Sequence, residues 1–182
     1  SPRDKELSTA AVHGAVTYLF EKSGRPTYPD PPVAGDPVRG ELLTAKVGCR
    51  GCHVVGTGDR VADSRGLRSF GPELNGIGSK VGAGWLYAWV KEPEVYFPET
   101  TMPDLRLTDQ EAADITAYLL TLRNQDFEAQ AVPPLDRNAR DELILEYLQS
   151  RLSEAAARDR LAAMSELEGD LYLGQKIILR QG

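Results

Sequence analysis

Apolar residues return at helical spacing over several stretches of the chain. In "LTDQEAADITAYLLTLRN", Ala112, Ile115, Leu119 and Leu122 fall on one face. Thr108 stands before that run with Glu111 three positions on, which is the pattern of a capping box. Residues 37–48 read as a helix ending at Gly48, and "WLYAWVKEP" as a short apolar-faced helix stopped by Pro93. From Asp136 the chain turns rich in Ala, Leu, Glu and Arg, with Leu145, Leu148, Leu152, Ala155 and Ala156 spaced as one face. This predicts one long helix or two in succession, closed by Gly169 as a C-cap. The Gly-rich segments around 56–58 and 76–84 read as loops, and Pro133–Pro134 as a stiff linker. No convincing strand pattern appears beyond short extended pieces, so the expected fold class is all-α.

Composition narrows the function classes. A chain of 182 residues suits one domain, or one domain with substantial extensions. With 41% hydrophobic and 26% charged residues it can bury a core. The net charge of −6 argues against nucleic acid as a partner. No apolar run approaches the roughly 18 residues of a membrane span. The start "SPRDKELSTAAVHG" lacks the features of a signal peptide, so any export signal is expected upstream or already removed. Residues 124–182 hold seven basic and eleven acidic side chains, a net of −4, which reads as a solvated acidic face.

The chemistry concentrates in "VGCRGCHVVG", which holds both cysteines of the chain. A disulfide between Cys49 and Cys52 would close a very short loop for little entropic gain. Zinc needs about four ligands, and only His53 and the distant His13 are further soft donors. A thioredoxin-like dithiol belongs at a helix start after a strand, and no strand-rich segment precedes Cys49. The spacing C-x-x-C-H also suits covalent haem attachment, each thiol adding across a vinyl group and the histidine reaching the iron. That reading is favoured, with a redox dithiol as the main alternative. It demands a sixth iron ligand. Met102 lies in the Pro-bracketed loop "FPETTMPDLRLTDQ", whereas Met164 sits at helical spacing and reads as core. His13 competes as a ligand, but lies within an N-terminal helix pattern and reads as a surface or packing residue.

Four motifs follow one another between Gly35 and Asn124: C-x-x-C-H, G-P-x-L, T-M-P and L-T-D-x-E-x-x-D-I-x-x-Y-L. In combination and order they resemble a class I cytochrome c domain with His/Met axial ligation. The resemblance implies a few helices wrapped around one covalent haem c. It makes Cys49 and Cys52 the haem anchors, His53 the proximal ligand and Met102 the distal one. Pro72 would offer its carbonyl to the other ring nitrogen of His53, a contact that orients the ring and strengthens its donation. Leu74 completes G-P-x-L at the haem, Trp85, Trp89, Tyr96 and Phe97 would wall it, and Thr101 would contact a propionate. Gly40 and Tyr118 would supply the small residue and the aromatic at the crossing of the first and last helices.

The implied function is single-electron transfer without bond-making on a substrate, hence no enzyme. The partners would be redox proteins or neighbouring haem domains, and the location the periplasm or the outer face of a membrane. Rival readings are a haem-bearing domain of a larger multihaem oxidoreductase, a gas or redox sensor in which Met102 yields, and a mainly structural subunit. Lys46, Arg50, Arg60, Arg65, Arg68 and Lys80, set against Glu41, Asp59, Asp63 and Glu73, would give a mildly basic docking rim.

The flanks repeat the pattern. "LSTAAVHGAVTYLF" from Leu7 aligns with "LTDQEAADITAYLL" from Leu107, Tyr18 falling opposite Tyr118. "GDLYLGQKIILRQG" from Gly169 aligns with "GDPVRGELLTAKVG" from Gly35, Gly174 falling opposite Gly40 and Arg180 opposite Lys46. The reading is a segment of a multihaem cytochrome reaching to just before another C-x-x-C-H. Chance likeness between amphipathic helices is the alternative. The expected organisation is an N-terminal helix and Pro-rich linker (1–34), a cytochrome c domain (35–125), a linker and long helical segment (126–168) and a helix leading onward (169–182). The 136–168 segment reads as a spacer or brace, or as a docking face for a partner.

Overall fold

The computed structural model describes residues 2–24, 26–56 and 71–181. Among these residues nine α-helices form and no strand does. They are α1 (Pro2–Lys22), α2 (Pro37–Lys46), α3 (Ala83–Lys91), α4 (Pro93–Tyr96), α5 (Asp109–Thr121), α6 (Gln125–Glu128), α7 (Arg137–Gln149), α8 (Glu154–Ala162) and α9 (Glu166–Gln181). The chain divides into a central unit, Thr27–Gln130, and a flanking unit built from Ser1–Pro26 and Ala131–Gly182.

In the central unit α2 starts where the sequence can start it. The Asp36 carboxylate accepts from the N–H groups of Val38 and Arg39, and Pro37 takes the first turn, where its missing donor costs nothing. The capping box at α5 is present in both directions, Thr108 to Glu111 and back. α2 crosses α5 at Gly40, where a methyl group would overlap the Asp114 carbonyl oxygen and sit 2.8 Å from Tyr118 Cβ. Beside the crossing, the buried Asp114 carboxylate accepts from Asp36 N–H at 2.7 Å, the Arg39 guanidinium at 3.1 Å and the Gln110 amide at 2.9 Å. Burial alone would push this carboxyl up; the three donors and the Arg39 charge outweigh it and hold it below the usual carboxylate range. Val55, Leu86, Val90, Leu107, Ala112, Ile115, Tyr118 and Leu119 fill the core between α3, α5 and the loops.

Two sequence readings change here. Pro93 does end α3, but it also opens α4, because at a first helical position it removes no hydrogen bond. The stretch read as loop over 76–84 contains a 3₁₀ turn, Ile77–Ser79, and its last residues, Ala83 and Gly84, already belong to α3. Of the 56–58 segment only Gly56 lies within the described residues.

The flanking unit packs α1 against α7 and α9, and α7 against α8 and α9. Ile144, Leu148, Ala157 and Leu173 are its buried apolar centre, and Met164 packs against them, in the core role read from its spacing. Of the two readings of 136–168, two helices in succession stand, α7 and α8, and the onward helix expected from 169 starts earlier, at Glu166. Ser153 caps α8, and Ser165 with Glu168 caps α9, so polar residues inside the apparent run start new helices. Gly169 is therefore not a C-cap but an interior residue of α9. The supposed continuous face also breaks: Leu148 is buried, but Leu152, Ala155 and Ala156 are exposed. His13 lies on α1, its Nδ1 3.8 Å from the Asp170 carboxylate.

Candidate functional site

α2 ends in a turn at Val47, and Gly48 follows with φ 95°, a left-handed conformation that glycine adopts without strain. This turns the chain into the 3₁₀ turn Cys49–Gly51. The N–H groups of Cys52 and His53 both donate to the Cys49 carbonyl, at 3.2 and 2.9 Å. One tight turn thus carries both cysteines and the histidine. No disulfide joins the two cysteines. Burial pushes the Cys49 thiol up, a backbone hydrogen bond offsets part of this, and Cys52 adds to the rise. A thiol raised in this way is the opposite of the lowered one that redox dithiols use.

The segment from Gly71 runs beside this turn. Gly71 N–H donates to Cys52 O at 2.9 Å, Leu74 N–H to Val54 O at 3.0 Å, and Gly56 N–H to the Asn75 side chain at 2.8 Å. These bonds bring the Pro72 carbonyl oxygen to 2.8 Å from His53 Nδ1. A carbonyl only accepts, so Nδ1 carries the proton and Nε2 keeps its lone pair for a metal. Gly71 is required here: any side chain at this position would run into the imidazole ring. The sequence contained Gly71 in G-P-x-L, but spacing alone gave it no role.

Met102 sits in the loop between α4 and α5. Its N–H donates to Thr100 Oγ1 at 3.2 Å, and its sulfur accepts from the Trp89 indole N–H at 3.1 Å. Trp89 stacks on Trp85 with ring centroids 5.6 Å apart, and Tyr96 approaches Trp89 at 6.4 Å. Tyr28, which sequence reasoning did not name, extends the cluster to Tyr96 at 5.2 Å. Lys91 fixes the far end of the methionine loop by donating to Leu107 O and pairing with Asp109 at 3.0 Å.

Leu74 and Trp85 pack half-buried on the core, joined by Val47, Ile77, Val81 and Leu105, which the sequence reading also left out. Those four are ordinary apolar residues, and nothing in their local pattern separates a cofactor wall from core. Phe97 is 53% exposed and Thr101 is exposed, so neither is held by the core. Of the expected basic rim, Lys46, Arg50 and Lys80 are exposed, as are Glu41 and Glu73. Arg60, Arg65 and Arg68, with Asp59 and Asp63, lie outside the described residues.

The donor set fits a covalently held haem. It offers two thiols on one turn that no disulfide joins, an imidazole with Nε2 available, a thioether on a separate loop, and half-buried Leu74 and Trp85 packed on the core. Residues 37–123 match the family model for cytochrome c. No curated protein and no solved structure matches the chain. Residues 37–123 are a cytochrome c domain, all-α in fold, of the family whose members bind haem c covalently and transfer electrons through it.

Proposed function

We propose that the central unit moves single electrons through one haem c held by Cys49 and Cys52, with His53 and Met102 as axial ligands. The observation that carries this reading is the 2.8 Å contact between His53 Nδ1 and Pro72 O, which leaves Nε2 as the ring's only metal donor. The haem supplies the one-electron couple. The chain's own residues do the rest. Pro72 polarises the imidazole and fixes its plane. Trp89 holds the Met102 thioether by its indole N–H. Trp85, Leu74 and the buried residues behind them keep water from one side of the site, which stabilises the less charged ferrous form. With both axial positions filled by protein there is no open site for a substrate, so the domain acts as a carrier and not as an enzyme. Redox proteins or neighbouring haem domains are the partners, docking where Lys46, Arg50 and Lys80 are exposed. The support for a location in the periplasm or on the outer face of a membrane is the proposed attachment of haem at Cys49 and Cys52, a step that the resemblance assigns to compartments outside the bacterial cytoplasm. Among the described residues no helix is long and apolar enough to cross a membrane.

The test is the absorption spectrum of protein matured in a haem-attaching host. A c-type reduced spectrum that survives denaturation, with a weak far-red methionine-to-ferric-iron band in the native state, is the expected result. Covalent haem without that band would remove Met102 from the site and return the sensor and oxidoreductase readings. Absence of covalent haem would make Cys49 and Cys52 a redox pair.

A further inference from the structure

The flanking unit repeats, atom for atom at its centre, the helix crossing of the central unit. At the α2/α5 crossing, Gly40 lies over the Asp114 carbonyl and Tyr118 Cβ. At the α1/α9 crossing, a methyl on Gly174 would overlap the Gly14 carbonyl oxygen and sit 2.5 Å from Tyr18 Cβ. Gly14 and Tyr18 stand one hundred positions before Asp114 and Tyr118, in the alignment of Leu7 with Leu107. Gly174 and Gly40 are each the fifth residue after the Gly of a Gly-Asp pair. Two independent sequence registers thus meet at one three-dimensional contact, which chance likeness between amphipathic helices does not require.

A second observation says what this crossing lacks. On α5, Ala112, Thr116 and Leu119 are buried under the body of the haem domain. Their counterparts on α1, Val12, Val16 and Leu19, are 63%, 47% and 50% exposed, and the adjacent Phe20 is 63% exposed. The face that the haem-bearing loops cover in the central unit is apolar and uncovered in the flanking unit.

We infer that α1 and α9 are the closing and opening helices of a second c-type haem module, whose haem-bearing body follows Gly182 in the same polypeptide and covers the Val12–Phe20 face. The inference rests on the haem reading of the central unit. In the central unit the first attachment cysteine comes nine residues after Gly40, so the matching cysteine falls directly after Gly182. Attachment there is the same addition as at Cys49: each S–H adds across a vinyl double bond, sulfur to one carbon and hydrogen to the other, with no net oxidation. The register differs at one point. Gly35 is pressed against Ala113, whereas Gly169 meets Ile144 and Arg140 of α7, so the second module leans on α7 where the first has no equivalent helix among the described residues.

The test is a tryptic haem-peptide map of the full-length gene product, matured in a haem-attaching host. Trypsin cuts after Arg180, so a haem peptide beginning at Gln181 is expected beside the one carrying Cys49 and Cys52. Haem on Cys49 and Cys52 alone would overturn this inference and leave the proposed function standing; no haem on those cysteines would overturn the proposed function. Gly174→Leu should then remove the second haem peptide and keep the first. Its retention at full yield would show that the α1/α9 crossing is not part of a haem module. The wild-type map decides the matter even where that variant fails to fold.

Discussion

The indole Nε1 of Trp89 donates a hydrogen bond to the sulfur of Met102 at 3.1 Å. A donor on the thioether draws electron density away from the sulfur and favours the reduced iron it would ligate. Trp89→Phe keeps the aromatic stack on Trp85 and removes only the donor. The reduction potential should fall by roughly 20–60 mV, taking about 0.5–1.5 kcal/mol for one neutral hydrogen bond. A redox titration that follows the far-red band measures this. An unchanged potential with the band intact would show that the indole does not act on the ligand.

Met102 and His13 were rival sixth ligands in the sequence, and substitution separates them. Met102→Ala should abolish the far-red band, let carbon monoxide bind the reduced protein and lower the potential. His13→Ala should leave the spectrum as it was, since His13 lies beside Asp170 in the flanking unit. Carbon monoxide binding by the unmodified reduced protein would argue for a sensor instead.

The motifs made the central unit legible because most encode a rigid local geometry. Gly48 dictates a left-handed turn and Thr108 with Glu111 a cap, neither of which depends on distant residues, while Gly40 gains its role only from Asp114 and Tyr118 across the helix crossing. The flanking unit was less legible for a physical reason. Its run from Asp136 to Gly169 has Ala, Leu and Glu throughout, so propensity favours helix everywhere and the breaks rest on single serines. Ser165 with Glu168 has the capping-box spacing of Thr108 with Glu111, a signal the sequence reading overlooked, whereas Ser153 has Ala156 at that spacing and shows as a cap only through its bond from Ala156 N–H. The half-buried residues of the central unit divide in the same way. Trp85 and Trp89 stood out as large aromatics near a motif, whereas Val47, Ile77, Val81 and Leu105 could be placed only by packing.

Asp114 gives the domain an acid-sensitive joint. Its folded-state carboxyl is held below its unfolded value, so its contribution is complete above the unfolded value of about 3.9 and is lost as pH falls through the folded one. Asp114→Asn should be less stable than the unmodified domain at neutral pH. The gap should begin to narrow as the pH drops below about 4, where the carboxyl of the unfolded chain takes up its proton first, and should close once the folded Asp114, held lower, is neutral as well. Denaturant melts at a series of pH values, read from haem absorbance, test this. A gap that stays constant with pH would mean that Asn loses packing and not charge.

Arg140 and Asp170 form the corresponding joint of the flanking unit. Arg140 is 9% exposed, and its guanidinium lies 3.5 Å from the Asp170 carboxylate and 2.8 Å from that of Asp141. Burial alone would lower its basicity, but the two carboxylates more than compensate, so it stays charged. Arg140→Met leaves Asp170 charged in a place with little water and should cost about 3 kcal/mol. Asp170→Asn should cost less, because Asp141 still pairs with the guanidinium. The double variant should recover most of the loss, since no uncompensated charge then remains buried. Denaturant unfolding followed by far-ultraviolet circular dichroism reports the helices of both units, and haem absorbance on the same samples reports the central one, so the flanking unit is read from the dichroism change that haem absorbance does not follow. If the two single costs simply add in the double variant, the pair is not coupled and the unit is held by its apolar centre at Ile144 and Leu173 alone.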